Sequence, residues 1–393
     1  MNINKISFIF GGALISLALL CPPVHAEAKT SAKTTAAQKS SKSSSGSKKS
    51  SSSRSSIQTI YNNPETGEWI RKSSRGIYTV KDSTGVVRSM AAHNTNPAGA
   101  RNIAAALNRY AEDLKSENVR IYSVLAPDQG EYYMPDMVGT KGNEQKTIEI
   151  VAENAAPGVT VVFVDDVLKN HVDEHIYSYT DHHWAPLGGF YAAEALAKAA
   201  GVPFRPLSDY EEVVTHGYVG TMPRFSGDSQ IKNYPEDFVY YLPPEGYEAE
   251  FINYKVSNGK TVSEGAPHKD VFFKKFKEGS ESSYCVFMGG DYCNVKVRNT
   301  GGPKDRKVLL VKDSFGNAVA SNLFGSFEEV HVIDFRYFPH NLIDYIRENG
   351  ITDVAFVNSL SIGISPNCVN RLDHMRTVGK KTSKPASIRN EEE

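Results

Sequence analysis

Apolar residues in this chain fall into short continuous runs that alternate with stretches of helical periodicity. Ile103, Leu107, Tyr110 and Leu114 recur at three- or four-residue spacing, which predicts an amphipathic helix over residues 97–118. Further helices are predicted at 143–153, 315–325 and 340–349. Each helix lies next to an uninterrupted apolar run of strand length; these runs are Val119–Leu125, Val159–Val164, Lys307–Val311, Val330–Ile333 and Asp353–Val357. The pattern predicts a mostly parallel sheet with helices on both faces, a three-layer α/β/α sandwich.

Residues 203–305 interrupt this alternation. They are rich in Gly, Pro, Tyr and Asn and show only short alternating segments, which favours a β-rich insertion beside the sheet. We therefore expect one domain over residues 57–377 that contains this insertion. Ligands of open α/β sheets bind at the carboxyl ends of the strands, so we expect functional side chains there.

The two ends of the chain have a different character. An apolar run from Ile6 to Leu20 follows Lys5 and precedes Pro22, Pro23 and the small residue Ala26, a pattern typical of a secretory signal peptide over residues 1–26. A retained anchor and lipoprotein processing at Cys21 are the alternatives. In residues 27–56, 13 of 30 positions are Ser, and this composition predicts a disordered tether; residues 378–393 are predicted to be a disordered tail. The protein is thus expected to be exported, whether periplasmic, attached to the cell surface or secreted.

Composition and charge narrow the class of protein. With 393 residues, 40% of them hydrophobic and 23% charged, the chain is long enough to bury a substantial core. The net charge of −1 hides an asymmetry, because residues 27–56 hold seven basic side chains and one acidic side chain, so the rest of the chain is acidic. An acidic body argues against nucleic acid as a ligand. Beyond the signal, Cys285 and Cys293 are close enough in sequence to form a bridge in an oxidising compartment, whereas Cys368 is left over.

One candidate site for chemistry is the sequence from Tyr179 to Gly188, in which Asp181 precedes His183 by two residues and Pro186 starts a helix that runs to Ala200. In extended backbone, residues two apart point to the same side. Asp181 can then hold the Nδ1 proton of His183 and leave Nε2 free as a base. The structural alternative is that this pair merely caps the helix.

A second candidate is Ser314, which follows the buried strand Lys307–Val311 and precedes Gly316 and a helix. A serine at such a turn is exposed at the carboxyl edge of the sheet, next to N–H groups that can stabilise an oxyanion. Ser314, Gly316 and Asn317 are the candidate oxyanion donors. An ordinary N-cap serine is the structural alternative.

Together these residues resemble a known family. Asp181-His182-His183-Trp184 followed by Ala-Pro-Leu-Gly, with Lys312-Asp313-Ser314-Phe315 downstream, is similar to the bacterial DHHW proteins, which belong with the alginate O-acetyltransferase-like branch of the SGNH hydrolase superfamily. The resemblance covers roughly residues 60–375, and its supporting stretches are Pro127–Tyr132, Gly220-Thr221, Gly289-Gly290-Asp291 and Asp334-Phe335-Arg336-Tyr337. It implies an SGNH-like fold in which acid and base precede the nucleophile. It also implies that Asp181 orients His183, that His183 is the base and Ser314 the nucleophile, and that the position of His182 is variable.

Other chemistries fit the sequence less well. The Asp-His-His sequence occurs in metal-dependent phosphoesterases, but those enzymes need further Asp-rich motifs, for which we find no matching set. His171 and His175 have the i, i+4 spacing of a zinc pair without a third ligand signature, and Gly289-Gly290 lacks the spacing of a phosphate loop. We therefore expect neither a metal nor another cofactor.

The resulting expectation is an exported O-acetyltransferase or acetylesterase that acts on a cell-surface polysaccharide or cell-wall glycan. If it is a transferase, the acyl donor must reach the outside through the membrane, and the family resemblance then implies a membrane acyltransferase as the partner. The non-enzymatic alternative is a carbohydrate-binding module with a relic triad, in which aromatic residues of the insertion would stack on sugars: Tyr218, Tyr234, Tyr240 and Tyr241.

Overall fold

The computed structural model describes residues 56–139, 143–244, 246–299 and 303–379, so the predicted signal peptide, nearly all of the tether and most of the tail lie outside it. The first described elements form an antiparallel four-stranded sheet that the apolar pattern did not predict. Its strands are β1 (Ile57–Asn62), β2 (Trp69–Ser73), β3 (Ile77–Lys81) and β4 (Val87–Ala91). Gly76 and Gly85 lie in the turns of this sheet and adopt the positive φ values of 79° and 91° that glycine tolerates.

Eleven further strands follow along the described chain. They are β5 (Arg120–Ala126), β6 (Val159–Val162), β7 (Glu211–Tyr218), β8 (Glu236–Leu242), β9 (Tyr247–Ser257), β10 (Lys260–Glu264), β11 (His268–Lys269), β12 (Cys293–Asn299), β13 (Lys307–Lys312), β14 (Glu329–Asp334) and β15 (Asp353–Ser359). The helices are α1 (Pro97–Asp113), α2 (Gln129–Tyr133), α3 (Glu144–Asn154), α4 (Asp165–Leu168), α5 (Pro186–Ala200), α6 (Met222–Ser226), α7 (Asn317–Ala320), α8 (Leu342–Asn349), α9 (Leu360–Gly363) and α10 (Pro366–Thr377). None of these described helices has both the length and the hydropathy that a membrane span requires.

A nine-stranded sheet forms the middle layer, and all five predicted apolar strands lie in it. Along its main path the order is β10-β9-β12-β14-β13-β15-β5-β6, and β11 pairs with β9. The strands from β14 to β6 run parallel. β15, the last strand among residues 56–379 that the structure describes, lies between β13 and β5 in the centre of the sheet.

The side chains of these central strands alternate between two cores. On one face Val124, Leu310 and Val357 pack with residues of α5 and α7. On the other face Leu125, Leu309 and Phe356 pack with residues of α1, α3, α8 and α10. The predicted α/β/α class with a mostly parallel sheet is therefore confirmed.

The insertion is β-rich, but only part of it lies beside the sheet. β7 and β8 form a separate antiparallel pair, whereas β9 to β12 extend the central sheet, with β12 running antiparallel to β14. This continuity was not predicted, because β9 exposes about every second residue and β10 is mostly exposed, so neither strand is a continuous apolar run.

Two local expectations differ from the structure. The helix predicted at 315–325 is divided into a 3-10 turn at Ser314–Gly316, α7, and a second 3-10 turn at Ser321–Leu323. The sequence also allowed a Cys285–Cys293 bridge, but Cys293 is a buried free thiol. Its Sγ faces the carbonyl oxygens of Met288 and Gly290, at 4.0 and 3.8 Å, so this bridge is not formed.

Candidate active site

The loop that carries Asp181 and His183 is held at both ends before α5 begins. An isolated antiparallel bridge joins Tyr177 to Trp184. From β8, the buried Glu236 carboxylate accepts hydrogen bonds from the N–H groups of Tyr179 and Thr180, at 2.8 and 2.7 Å, and from the Thr180 hydroxyl at 2.6 Å. The insertion thus fixes the backbone next to Asp181.

Asp181 is fully enclosed, and both of its carboxylate oxygens have partners. Its Oδ1 accepts from Nδ1–H of His183 at 2.5 Å, and its Oδ2 accepts from the N–H and the hydroxyl of Thr221 at 2.7 and 2.8 Å. Gly220 allows this close approach, because a Cβ added there would lie 2.4 Å from the Asp181 Cβ. Burial alone would raise the pKa of Asp181, but the two neighbouring imidazoles and these hydrogen bonds hold it well below 3.8. Asp181 is therefore ionised and can only accept.

His183 connects Asp181 to the serine. Because its Nδ1 donates to an ionised carboxylate, its Nε2 carries the lone pair, and this atom lies 2.7 Å from Ser314 Oγ. The Tyr284 ring stacks on the imidazole with a centroid separation of 3.9 Å and an interplanar angle of 6°. The stacking of Tyr284 and the hydrogen bond to Asp181 thus fix the orientation of the His183 ring.

Ser314 lies at the carboxyl end of β13, where the chain turns into α7. The Asp313 side chain accepts from the Phe315 N–H at 3.0 Å and from the N–H and hydroxyl of Ser359, both at 2.9 Å. Tyr284 donates its hydroxyl to the Ser314 carbonyl at 3.1 Å. These contacts tie the serine turn to β15 and to the insertion.

The structure therefore brings Asp181, His183 and Ser314 into one hydrogen-bonded chain. The two capping alternatives are wrong: α5 begins after Ala185 with no side-chain cap, and Asp313 rather than Ser314 caps the turn that follows β13.

His182 and Trp184, on either side of His183, are not part of this hydrogen-bonded chain and have other partners. The His182 Nδ1 lies 2.9 Å from the Thr221 hydroxyl, which itself donates to Asp181. Burial and the neighbouring His183 lower the pKa of His182 from 6.5 to about 3, so its ring is neutral near pH 7. The Trp184 indole N–H donates to the Phe315 carbonyl at 3.1 Å and links the loop to the serine turn.

Two of the predicted oxyanion donors, Gly316 and Asn317, have different surroundings. The N–H of Gly316 donates to the Asp313 carbonyl at 3.1 Å, so the prediction for this group is wrong in this geometry. Gly316 instead allows a close approach, because a Cβ there would lie 2.4 Å from the Lys312 Cβ. Asn317 lines the same cavity as Ser314, and its Nδ2 donates to Asp291 Oδ1 at 2.9 Å.

A cavity of about 230 Å³ opens at this site. Its wall includes Ser314, His183, Tyr284, Asp291 and Asn317, and Arg224 and Glu281 form an ion pair of 3.5 Å beside it. Two of the tyrosines proposed for sugar stacking, Tyr218 and Tyr241, are buried. They are part of the core and are not free to stack on a surface glycan.

The described residues include two groups whose side chains have the spacing of metal ligands: Asp181, His182 and His183, and His93, Asp128 and Glu144. In the first group, both oxygens of Asp181 and both ring nitrogens of His183 already have protein partners. A cation there would have to displace the bond between Asp181 and His183. His171 and His175 do not form a pair, because they contact Glu174 and Glu236 respectively.

Sequence reasoning missed three residues that support the site: Thr221, Glu236 and Tyr284. Thr221 had a signal in the Gly220-Thr221 stretch, whereas the other two lie in a segment without a recognisable motif.

Comparison with known proteins gives three matches that bear on the family and the fold. A family model described as "DHHW protein" matches residues 62–333. The crystal structure of a DHHW family protein from Eubacterium siraeum is 33% identical and has a TM-score of 0.67, covering 77% of this chain and 96% of that one. The structure of Bacillus cereus PatB1 with a sulfonyl adduct is 20% identical, with a TM-score of 0.59, and covers 74% of this chain and 96% of that one; at this identity the likeness shows the fold alone. Comparison with curated protein sequences gives no match.

Proposed function

This chain belongs to the DHHW family, and we propose that it is an exported serine enzyme that transfers acetyl groups to or from the hydroxyls of a cell-surface polysaccharide. The observation that carries the proposal is the chain of hydrogen bonds from Asp181 through His183 to Ser314 at the wall of a cavity. A nucleophile, a base and an orienting carboxylate in this order are the parts that acyl transfer requires.

The reaction runs in two steps. The Ser314 Oγ attacks the carbonyl carbon of an acetyl ester while His183 Nε2 takes the hydroxyl proton. The bond from the carbonyl carbon to the leaving oxygen then breaks, and His183 returns the proton to that oxygen. In the second step a sugar hydroxyl or water gives its proton to His183 and attacks the acetyl-serine, and Ser314 Oγ leaves and recovers the proton.

The acceptor and the donor follow from place and chemistry. An exported protein meets a polysaccharide or cell-wall glycan, whose hydroxyls are the natural acceptors. A transferase working there needs activated acetyl groups supplied through the membrane, so a membrane acyltransferase is the proposed donor partner. With water as acceptor the same site is an acetylesterase.

The first test is reaction of the full chain with methanesulfonyl fluoride, followed by mass spectrometry of the peptides. PatB1 has been obtained with a sulfonyl adduct, so this class of reagent suits the shared fold. We expect one adduct, on Ser314, together with hydrolysis of 4-nitrophenyl acetate that Ser314→Ala abolishes. Ser321→Ala, another buried serine seven residues further along the chain, is the matched control and should behave as the wild type.

Two results would contradict the proposal: turnover that survives Ser314→Ala, or an adduct on a different residue. Glycan binding that is equal in the wild type and Ser314→Ala, with neither turnover nor adduct, would favour the carbohydrate-binding module instead. Transferase and esterase are distinguished in the producing organism, where deletion should lower or raise the acetyl content of the wall or capsule polymer.

A further inference from the structure

Four charged side chains that the triad does not use come together behind Ser314. They are two buried carboxylates and two cations: Asp291 after the Gly289-Gly290 turn, Lys312 before the serine turn, Asp334 at the end of β14 and Arg336 just after it. Lys312 is 1% exposed and Asp334 is fully buried, so neither charge is placed there for solubility.

The four charges compensate one another. Lys312 Nζ lies 2.9 Å from Asp291 Oδ1 and 3.1 Å from Asp334 Oδ2. The Arg336 guanidinium lies 2.9 Å from Asp291 Oδ2 and 2.6 Å from Asp334 Oδ2. Burial alone would raise the pKa of Asp291, but Lys312 and Arg336 hold it below its usual value. Asp291 is consequently an ionised carboxylate whose charge is neutralised by two cations.

Of the two acids, Asp291 alone lines the cavity that contains Ser314, and there it contacts Asn317. Asn317 Nδ2 donates to Asp291 Oδ1 at 2.9 Å. An ionised carboxylate can only accept, so the amide of Asn317 must turn its NH₂ group toward Asp291 and cannot flip. The NH₂ group carries two hydrogens, and one bond to Asp291 leaves the second for another acceptor.

The carbonyl oxygen of the Asn317 amide is consistent with this orientation. Asn317 is 2% exposed, and its Oδ1 is buried with no hydrogen-bond partner among the described residues. Leaving a buried carbonyl without a partner costs free energy. The bond from Asn317 Nδ2 to Asp291 therefore outweighs this cost and fixes the orientation of the amide. Ser314 and Asn317 are three residues apart, on successive turns at the cavity wall.

We infer that Asp291 is a positioning residue that directs the second N–H of Asn317 into the cavity as an oxyanion donor, while Lys312 and Arg336 cancel the charge of Asp291. The inference rests on the proposed acyl-transfer function. It assigns a role to Asp291, Lys312 and Arg336, which the proposed reaction itself does not use. Without the two cations, a carboxylate beside the developing oxyanion would raise the barrier that Asn317 lowers.

The test is a double-mutant cycle in the full chain, with Asn317→Ala, Asp291→Asn and their combination, assayed on 4-nitrophenyl acetate. Asn317→Ala leaves the four charges in place and should lower kcat by about 10²- to 10³-fold with little change in KM, as expected for a lost oxyanion donor. Asp291→Asn should lower kcat in the Asn317 background but have no further effect once Asn317 is alanine.

Two controls separate positioning from stability. Asp334→Asn removes the other acid of the same cluster, whose carboxylate binds Lys312 and Arg336, and should leave kcat of the folded protein within a few-fold of the wild type. Asn322→Ala removes an asparagine that is also buried, with one bond from its Nδ2 and an unpartnered Oδ1, and should retain wild-type kcat. If Asp291→Asn does not fold, Asp291→Asn with Lys312→Met keeps the buried charge balanced and takes its place in the cycle.

A wild-type kcat in Asn317→Ala would overturn the inference. So would a double variant in which the kcat losses of Asp291→Asn and Asn317→Ala multiply. In either case, turnover that depends on Ser314 would still support the proposed function. Absence of Ser314-dependent turnover in the wild type would overturn both.

Discussion

The Nε2 atom of His183 lies 2.7 Å from the hydroxyl oxygen of Ser314, although 131 residues separate the two in sequence. His183 belongs to the loop before α5, and Ser314 follows the central strand β13 by two residues. Both positions face the carboxyl edge of the parallel strands, where α/β proteins assemble their sites. The distance is short enough for direct proton transfer, so no bridging group is required.

We expect Asp181→Asn to fold normally and to lose about 10⁴-fold in kcat, because the amide favours the wrong tautomer of His183. Ser314→Ala and His183→Ala should each remove nearly all activity, and the double variant should be little worse than either. Ester hydrolysis by the full chain measures these effects. His182→Ala is the matched control, and a loss equal to that of His183→Ala would contradict the assignment of the base.

Glu236→Gln should lower both activity and stability, because an amide cannot accept all the bonds that the carboxylate receives from Tyr179 and Thr180. Replacing charge-assisted hydrogen bonds of this kind costs about 2–3 kcal/mol of unfolding free energy. Urea unfolding and kcat should be measured together. Asp237→Asn, at the exposed neighbouring position, should change neither the unfolding free energy nor kcat. A wild-type kcat in Glu236→Gln would show that the loop holds Asp181 without the hydrogen bonds to Glu236.

Gly220→Ala should be far more damaging than an ordinary glycine substitution. The new methyl group would lie 2.4 Å from the Asp181 Cβ, and overpacking of this kind costs about 1–3 kcal/mol and would displace the carboxylate. Thermal unfolding and ester turnover both report the effect. At Gly265 an added Cβ has no neighbour closer than 3.5 Å, so Gly265→Ala should be neutral, and an equal effect at both sites would refute the steric argument.

Alkaline pH should weaken the fold through His93. Asp128, whose carboxylate lies 2.9 Å from the imidazole, raises the pKa of His93 from 6.5 to about 9. A raised folded-state pKa contributes stability that is complete below pH 6.5 and is lost as the pH rises through about 9. His93→Gln should therefore flatten the fall in unfolding free energy across this window. An unchanged slope would show that the His93–Asp128 pair is not formed in solution.

Much of the central layer was predictable because strands buried on both faces carry continuous apolar runs. Lys307–Val311 and Asp353–Val357 gave β13 and β15 nearly to the residue, and Pro186 marked the start of α5. The meeting of Asp181, His183 and Ser314 followed from the rule that strand ends share an edge. These inferences needed only local pattern and one topological principle.

The supports of the site were not predictable in the same way. Glu236 and Tyr284 reach the site from distant segments whose own sequences carry no motif, and only the folded chain brings them near His183. The error at Gly316 has a different origin: the turn after β13 closes its own hydrogen bond to Asp313, which uses the N–H group that a strand-to-helix junction suggested would be free.

The central position of β15 has a consequence for the timing of activity during biosynthesis. This strand is the last of those in the described part of the chain, yet it separates β13, which precedes Ser314, from β5. A growing polypeptide that lacks residues 353–359 has neither the neighbour that spaces these two strands nor Ser359, which binds the Asp313 side chain. Ser314 and His183 therefore cannot be aligned while the carboxyl-terminal segment is still being made. A chain truncated before β15 should give no Ser314-dependent ester turnover, so the proposed activity is expected only after residues 353–359 have joined the sheet.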